Sequence, residues 1–280
     1  MKKALLFFLF PITVLGQPCT TNILLDFDAG SDGASITLAL LTNSTHGAGF
    51  SFATNGAGIG GMIFSSDGQK DLIKFDNICN FGTFYGNGSV GLRCETTNDA
   101  SIKFTSSLSS MKASAGWWVK GTLPSETLVF IDSFLIQEDG NLSGPGAYAN
   151  ASWESGAGGY RFGLETGGVD HPESLGRYAT NVWWWITMLY DAAGSNKLSI
   201  YNSNLVFQES LTSAGHRTGA TNANHLIFGN CILGQSTPGK YMYFDNIIFD
   251  FASGIFPLLP STSQQIMGGP ATINGNVTIR

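Results

Sequence analysis

Charge is scarce in this chain. Asp, Glu, Lys and Arg make up only 12% of its residues, about half the usual ~25% share. The 14 basic residues form no cluster beyond Lys2–Lys3. Phosphate backbones are neutralised by clustered Lys and Arg, so nucleic acid is disfavoured as a partner. Histidine and cysteine number four each, with no H-x-x-H and no C-x-x-C, which argues against a zinc site. G-x-S-x-G is absent as well, and four scattered histidines make a nucleophilic triad improbable. Beyond the N-terminus no apolar run is long enough to cross a bilayer as a helix.

Glycine, by contrast, is abundant, with 36 residues, and 43% of the chain is apolar, including 20 Phe. That apolar content is enough for a sizeable core and excludes a disordered chain. The opening MKKALLFFLFPITVLGQ reads as a secretory signal: two lysines, a short apolar stretch, then small Gly16 before Gln17. Residues 1–16 are taken as this signal, so the mature chain is expected to be soluble and extracellular. Loss of Lys2 and Lys3 leaves 12 basic residues against 20 acidic ones. Cys19, Cys79, Cys94 and Cys231 then form an even set, which in a secreted chain implies two disulfides. Three pairings are possible. Cys79 with Cys94 is favoured, because the Gly-rich stretch between them reads as a hairpin, and closing such a loop is worth about 3 kcal/mol.

Nearly every patterned segment alternates apolar and polar residues with period two. Examples are ILLDFD (23–28), SITLALL (35–41), GWWVKG (116–121), TLVFIDSFLI (127–136), GYRFGLE (159–165), KLSIYN (197–202) and YMYFDNIIFDF (241–251). Gly-, Asn- and Ser-rich turns separate them, and no helical stripe of useful length is visible. About a dozen short strands at this spacing predict an all-β antiparallel sandwich or jelly roll of two sheets over residues 17–256. Residues 257–280 change character: a Pro/Ser-rich linker precedes ATINGNVTIR, where Asn274-Gly275 signals a short hairpin. That hairpin is a candidate contact to a further module or chain.

Three of the six tryptophans are consecutive, in NVWWWITMLYD (181–191). In a strand, neighbours point to opposite faces. Val182, Trp184, Ile186, Met188 and Tyr190 then line the core, while Trp183 and Trp185 face the other way. Those two rings are either covered by loops or used for binding. Trp117 and Trp118 pose the same choice, and Trp153 is expected in a Gly-rich turn.

The segment WWITMLYDAAGSNKLSIYNSNLVFQES (184–210), followed by LIFGN (226–230) and YMYFDNIIFDF (241–251), resembles the strand pattern of laminin-G-like and pentraxin-like domains, within the concanavalin-A-like lectin and glucanase superfamily. The resemblance implies a jelly roll of two curved sheets that binds glycan or protein on the concave sheet or the loop rim. Indole rings suit the apolar face of a pyranose, with charged neighbours bonding its hydroxyls. Trp183 and Trp185 are therefore candidate ligand contacts, with Arg161, Glu165 and Asp132 as polar neighbours. The superfamily also implies a calcium ion at the sandwich edge, for which Asp245, Asp28 and Asp26 are candidate ligands.

Catalysis is less well supported. The paired-carboxylate motif E-x-D of related glucanases is missing, since none of the seven glutamates has Asp two positions on. Asp132 and Glu165 meeting across strands would supply a pair of another kind. The expectation is thus a secreted, disulfide-linked carbohydrate-binding or adhesion module. A divergent glycoside hydrolase or polysaccharide lyase, or a structural component of an extracellular assembly, are the alternatives.

Overall fold

The computed structural model describes residues 22–46, 50–52, 73–77, 90–95, 101–122, 129–137, 148–156, 159–166, 172–214, 222–229 and 241–250. The expected signal segment, the 257–280 tail, Cys19, Cys79 and Cys231 lie outside them. The described residues form an all-β sandwich of antiparallel strands.

In chain order the strands are β1 (Asn22–Leu25), β2 (Thr45–His46), β3 (Phe50–Phe52), β4 (Ile73–Asp76), β5 (Gly91–Glu95), β6 (Ser101–Ser110), β7 (Lys112–Gly121) and β8 (Val129–Gln137), then β9 (Tyr148–Gly156), β10 (Gly159–Thr166), β11 (Trp184–Asp191), β12 (Asn196–Tyr201), β13 (Phe207–Ser213), β14 (Ala223–Gly229) and β15 (Tyr241–Asp250). One sheet runs β13-β12-β11-β7-β15-β1-β2, with β5 and β4 added beside β15. The other runs β10-β9-β8-β14-β6-β3. The larger sheet forks at β15. Residues Tyr241–Phe244 pair with β5 and Ile247–Asp250 pair with β1. The change of partner falls at an irregularity after Asp245, where Asn246 takes φ 46°. The extra residue of such a bulge turns the strand and lets it serve two neighbours.

Alternation places one face of each strand between the sheets. Trp184, Ile186, Met188 and Tyr190 of β11 pack there with Trp117 and Val119 of β7, Met242, Phe244 and Phe249 of β15, and Phe162 and Leu164 of β10. Tyr178 ties the layers together: its ring lies 5.1 Å from Phe162 on one sheet and 4.9 Å from Trp184 on the other. Its hydroxyl donates to Glu209 of β13 at 2.9 Å, and the same carboxylate accepts the Leu175 and Gly176 amides. Burial pushes the Tyr178 phenol up, and the Glu209 carboxylate adds to this. Glu209 thus clips the 174–178 loop to the sheet edge. Glu209→Ala should lower stability by about 1–2 kcal/mol in urea unfolding, the worth of partly solvated bonds to a charged acceptor.

Three expectations are corrected here. SITLALL is not a strand: Leu38–Asn43 form a short helix (α1), whose N-cap Thr37 accepts the Leu40 amide through Oγ1. Leu-Ala-Leu-Leu has good helix propensity, and a capping Thr starts the turn. Trp153 lies inside β9, paired with Ile131 and Phe162, rather than in a turn. The bridge expected at Cys94 is not formed. Cys94 is a free thiol on the core face of β5, 1% exposed, between Ile73 and Met242 of the neighbouring strands. Its side chain enters the apolar interior, and burial pushes the thiol up and keeps it protonated.

Candidate functional site

The outward face of the larger sheet is itself built of aromatic residues. β11 pairs with β7 so that Trp185 stands opposite Trp118, and β7 pairs with β15 so that Trp118 stands opposite Asp245. The two indoles approach to 5.2 Å between centroids, tilted by 54°. Both are fully buried, in a small second cluster with Leu24 and Ile248. Trp183, Tyr201 and Leu205 pack against it and remain partly exposed. The two outward tryptophans therefore differ: Trp185 is packing, and Trp183 is the ring that solvent reaches.

Trp183 opens onto a row that crosses five strands. Lys74 of β4 faces Arg93 of β5, Arg93 faces Tyr243 of β15, and Tyr243 faces Lys120 of β7. Trp184 faces Val119, which sets Trp183 beside Lys120. The chain neighbours of these residues (Ile73, Phe75, Leu92, Cys94, Val119, Met242, Phe244) all belong to the core, so the row itself points outward. The Lys120 ammonium lies 5.0 Å from the centre of the Trp183 ring and 4.9 Å from that of Tyr243. The Arg93 guanidinium lies 5.0 Å from that of Tyr241, and its Nη1 is 3.3 Å from the Asp76 carboxylate. Cations over ring faces hold both groups in fixed orientation. Lys74, Arg93, Lys120, Trp183 and Tyr241 are all partly exposed, whereas Tyr243 is buried.

The other expected site residues lie elsewhere. Arg161 of β10 alternates with core residues Tyr160 and Phe162, so it points away from the larger sheet, on the opposite side of the sandwich from Trp183. Arg161 donates to Glu173 at 3.0 Å. A single platform made of Trp183, Trp185 and Arg161 is thus not formed, because their strands belong to different sheets and face opposite ways. Glu165 lies in β10 and Asp132 in β8; their side chains lie outside the described residues.

The expected carboxylate set is not assembled either. Asp26 accepts the Asp28 amide at 3.0 Å and pairs with Nε2 of His46. Asp245 is 1% exposed and accepts the Asn246 amide at 2.8 Å, bracing the β15 bulge. Among the described residues no three His, Cys, Asp or Glu side chains are placed to hold a metal ion.

No protein-family model matches the chain, and no curated protein matches it. Among solved structures, the chain is similar to the binding domain of botulinum neurotoxin serotype G, at 12% identity and a TM-score of 0.44, over 83% of this chain and 47% of that one. It thus spans about half the length of that domain. A protein of unknown function from Shewanella oneidensis MR-1 is similar at 15% identity and a TM-score of 0.44, over 84% and 87% of the two chains. A binding domain of botulinum neurotoxin type DC in complex with SialylT is similar at 13% identity and a TM-score of 0.38, over 58% and 39%. These likenesses are loose.

Proposed function

We propose that the protein is an extracellular carbohydrate-binding module of laminin-G-like type, and that it takes saccharide on the outward face of its larger sheet, along the row that ends at Trp183. The observation that carries this reading is the partly exposed indole of Trp183 beside Lys120, with the Lys120 ammonium also against Tyr243. A sugar ring stacks its C–H face on such an indole, and an ammonium held beside it bonds hydroxyls. Preorganised groups of this kind lose little freedom when a ligand arrives.

The test is a glycan array read with wild-type protein and Trp183→Ala. Trp183 is only partly buried and precedes β11, so the variant should keep the wild-type circular dichroism spectrum and melting point within a few degrees. Binding should weaken at least about tenfold, as truncation of an aromatic anchor does. Equal binding by both proteins would move the site elsewhere, and no retained glycan for the wild type would overturn the reading.

A further inference from the structure

We infer that the ligand on this row is an anionic polysaccharide, one bearing carboxylate or sulfate groups along its length. The inference rests on the glycan-binding reading above and adds to it the class of saccharide. Its warrant is the register. Three of the chain's 14 basic residues, Lys74, Arg93 and Lys120, fall on one cross-strand row of one sheet face. In a chain with formal net charge −6, such a line of cations, offset in part by Asp76 beside Arg93, favours an anionic ligand locally.

The spacing is that of an extended chain laid across the strands. Neighbouring strands stand ~4.8 Å apart, so Arg93 and Lys120, two strands apart, are separated by ~10 Å, and the row from Lys74 to Trp183 spans ~19 Å. Lys74 and Arg93 form one cationic step and Lys120 the next. Trp183 supplies stacking surface at the end of the row, while the buried Tyr243 ring lies 4.9 Å from the Lys120 ammonium. Asp76 lies at the Arg93 end and fixes that guanidinium at 3.3 Å, leaving the fork's remaining donors to a ligand. Only 31% of the Arg93 side chain is exposed, and reduced hydration strengthens an ionic bond to an arriving anion.

Affinity electrophoresis of the full chain tests this. The probes are polygalacturonate, dextran sulfate, carboxyl-reduced polygalacturonate and neutral dextran. The variants are Lys120→Gln and the double variant K74Q/K120Q, both at partly exposed positions; Arg93 is left alone because it is paired with Asp76. Retardation by at least one of the two anionic polymers should exceed that by its neutral counterpart about tenfold, weaken with added salt, and fall about tenfold or more in K74Q/K120Q. Which of the two is held tells carboxylate from sulfate. Equal retardation by neutral and charged polymers, unchanged in the double variant, would overturn the anionic assignment while leaving the glycan-binding reading intact. Retardation by anionic polymers that the double variant does not reduce would show non-specific attraction and would also overturn it. No retardation by any of the four, together with an empty glycan array, would remove the glycan-binding reading itself.

Discussion

Trp185→Ala is expected to cost about 3–5 kcal/mol of unfolding free energy, the range for truncating a fully buried large aromatic side chain. For a chain of this size that corresponds to a fall of roughly 10 °C in melting temperature. The indole is fully buried and fills a layer with Trp118, Leu24 and Ile248, contributed by three other strands of the same sheet. These neighbours are fixed by backbone pairing and cannot close on the space left behind, so a cavity term adds to the lost transfer energy. Trp185→Phe keeps much of the volume and should lose about half as much or less. The contrast with Trp183→Ala is the informative part. Two tryptophans two residues apart, one just before β11 and one within it, should give opposite phenotypes: Trp185→Ala unfolds the sheet more easily, and Trp183→Ala leaves stability nearly unchanged while weakening binding. Urea unfolding of the two variants side by side checks this, and equal losses would show that both rings are packing.

Much of the sandwich was legible because period-two alternation is written locally. The ILLDFD, GWWVKG, KLSIYN and YMYFDNIIFDF segments all supply strands. Trp184 faces the core as its place among Ile186, Met188 and Tyr190 requires. The SITLALL segment misled because its alternation fits a strand as well as a one-turn helix with a single buried residue, Leu41. β4 carries too little pattern to read, being four residues between Gly-rich stretches, and β5 is legible only as one arm of the hairpin expected between Cys79 and Cys94. The different fates of Trp183 and Trp185 were not legible at all. They depend on Trp118, Leu24 and Ile248, brought beside Trp185 by pairings across more than 60 residues. The cationic row has the same origin. Lys74, Arg93 and Lys120 are isolated charges in the sequence and become a line only once three strand registers are fixed. A composition scan for basic clusters cannot find such a site, because the clustering runs across the sheet rather than along the chain.

Asp191 is the other position where a large effect is expected. It closes β11 and organises the turn to β12. Its Oδ1 accepts the Ala193 amide at 3.1 Å, and its Oδ2 meets the Lys112 ammonium at 3.0 Å. Its own amide is taken by Oδ1 of Asn196, fully buried, at 2.7 Å. Burial alone would raise the Asp191 carboxyl, but the Lys112 ammonium and the Ala193 and Gly194 amides outweigh it and hold the group below the usual carboxylate range. The turn also leaves no room beside it: a Cβ on Gly194 would stand 2.7 Å from Oδ2 of Asp191. Asp191→Ala should therefore cost about 2–3 kcal/mol, since it strands amides that bond a charged acceptor. Asp191→Asn, of the same shape without the charge, should lose less. Because the folded carboxyl is more acidic than the unfolded one, its contribution is fully present above the unfolded value near ~3.9 and disappears as pH falls through the lower folded value. The stability gap between wild type and Asp191→Asn, measured by urea unfolding, should be constant near neutral pH and narrow below about pH 4. A gap that stays open at low pH would place the role of Asp191 in shape rather than charge. A gap that closes would show that the ionised carboxylate holds the turn and, through Lys112, the start of β7, the strand that carries Lys120 to the proposed glycan face.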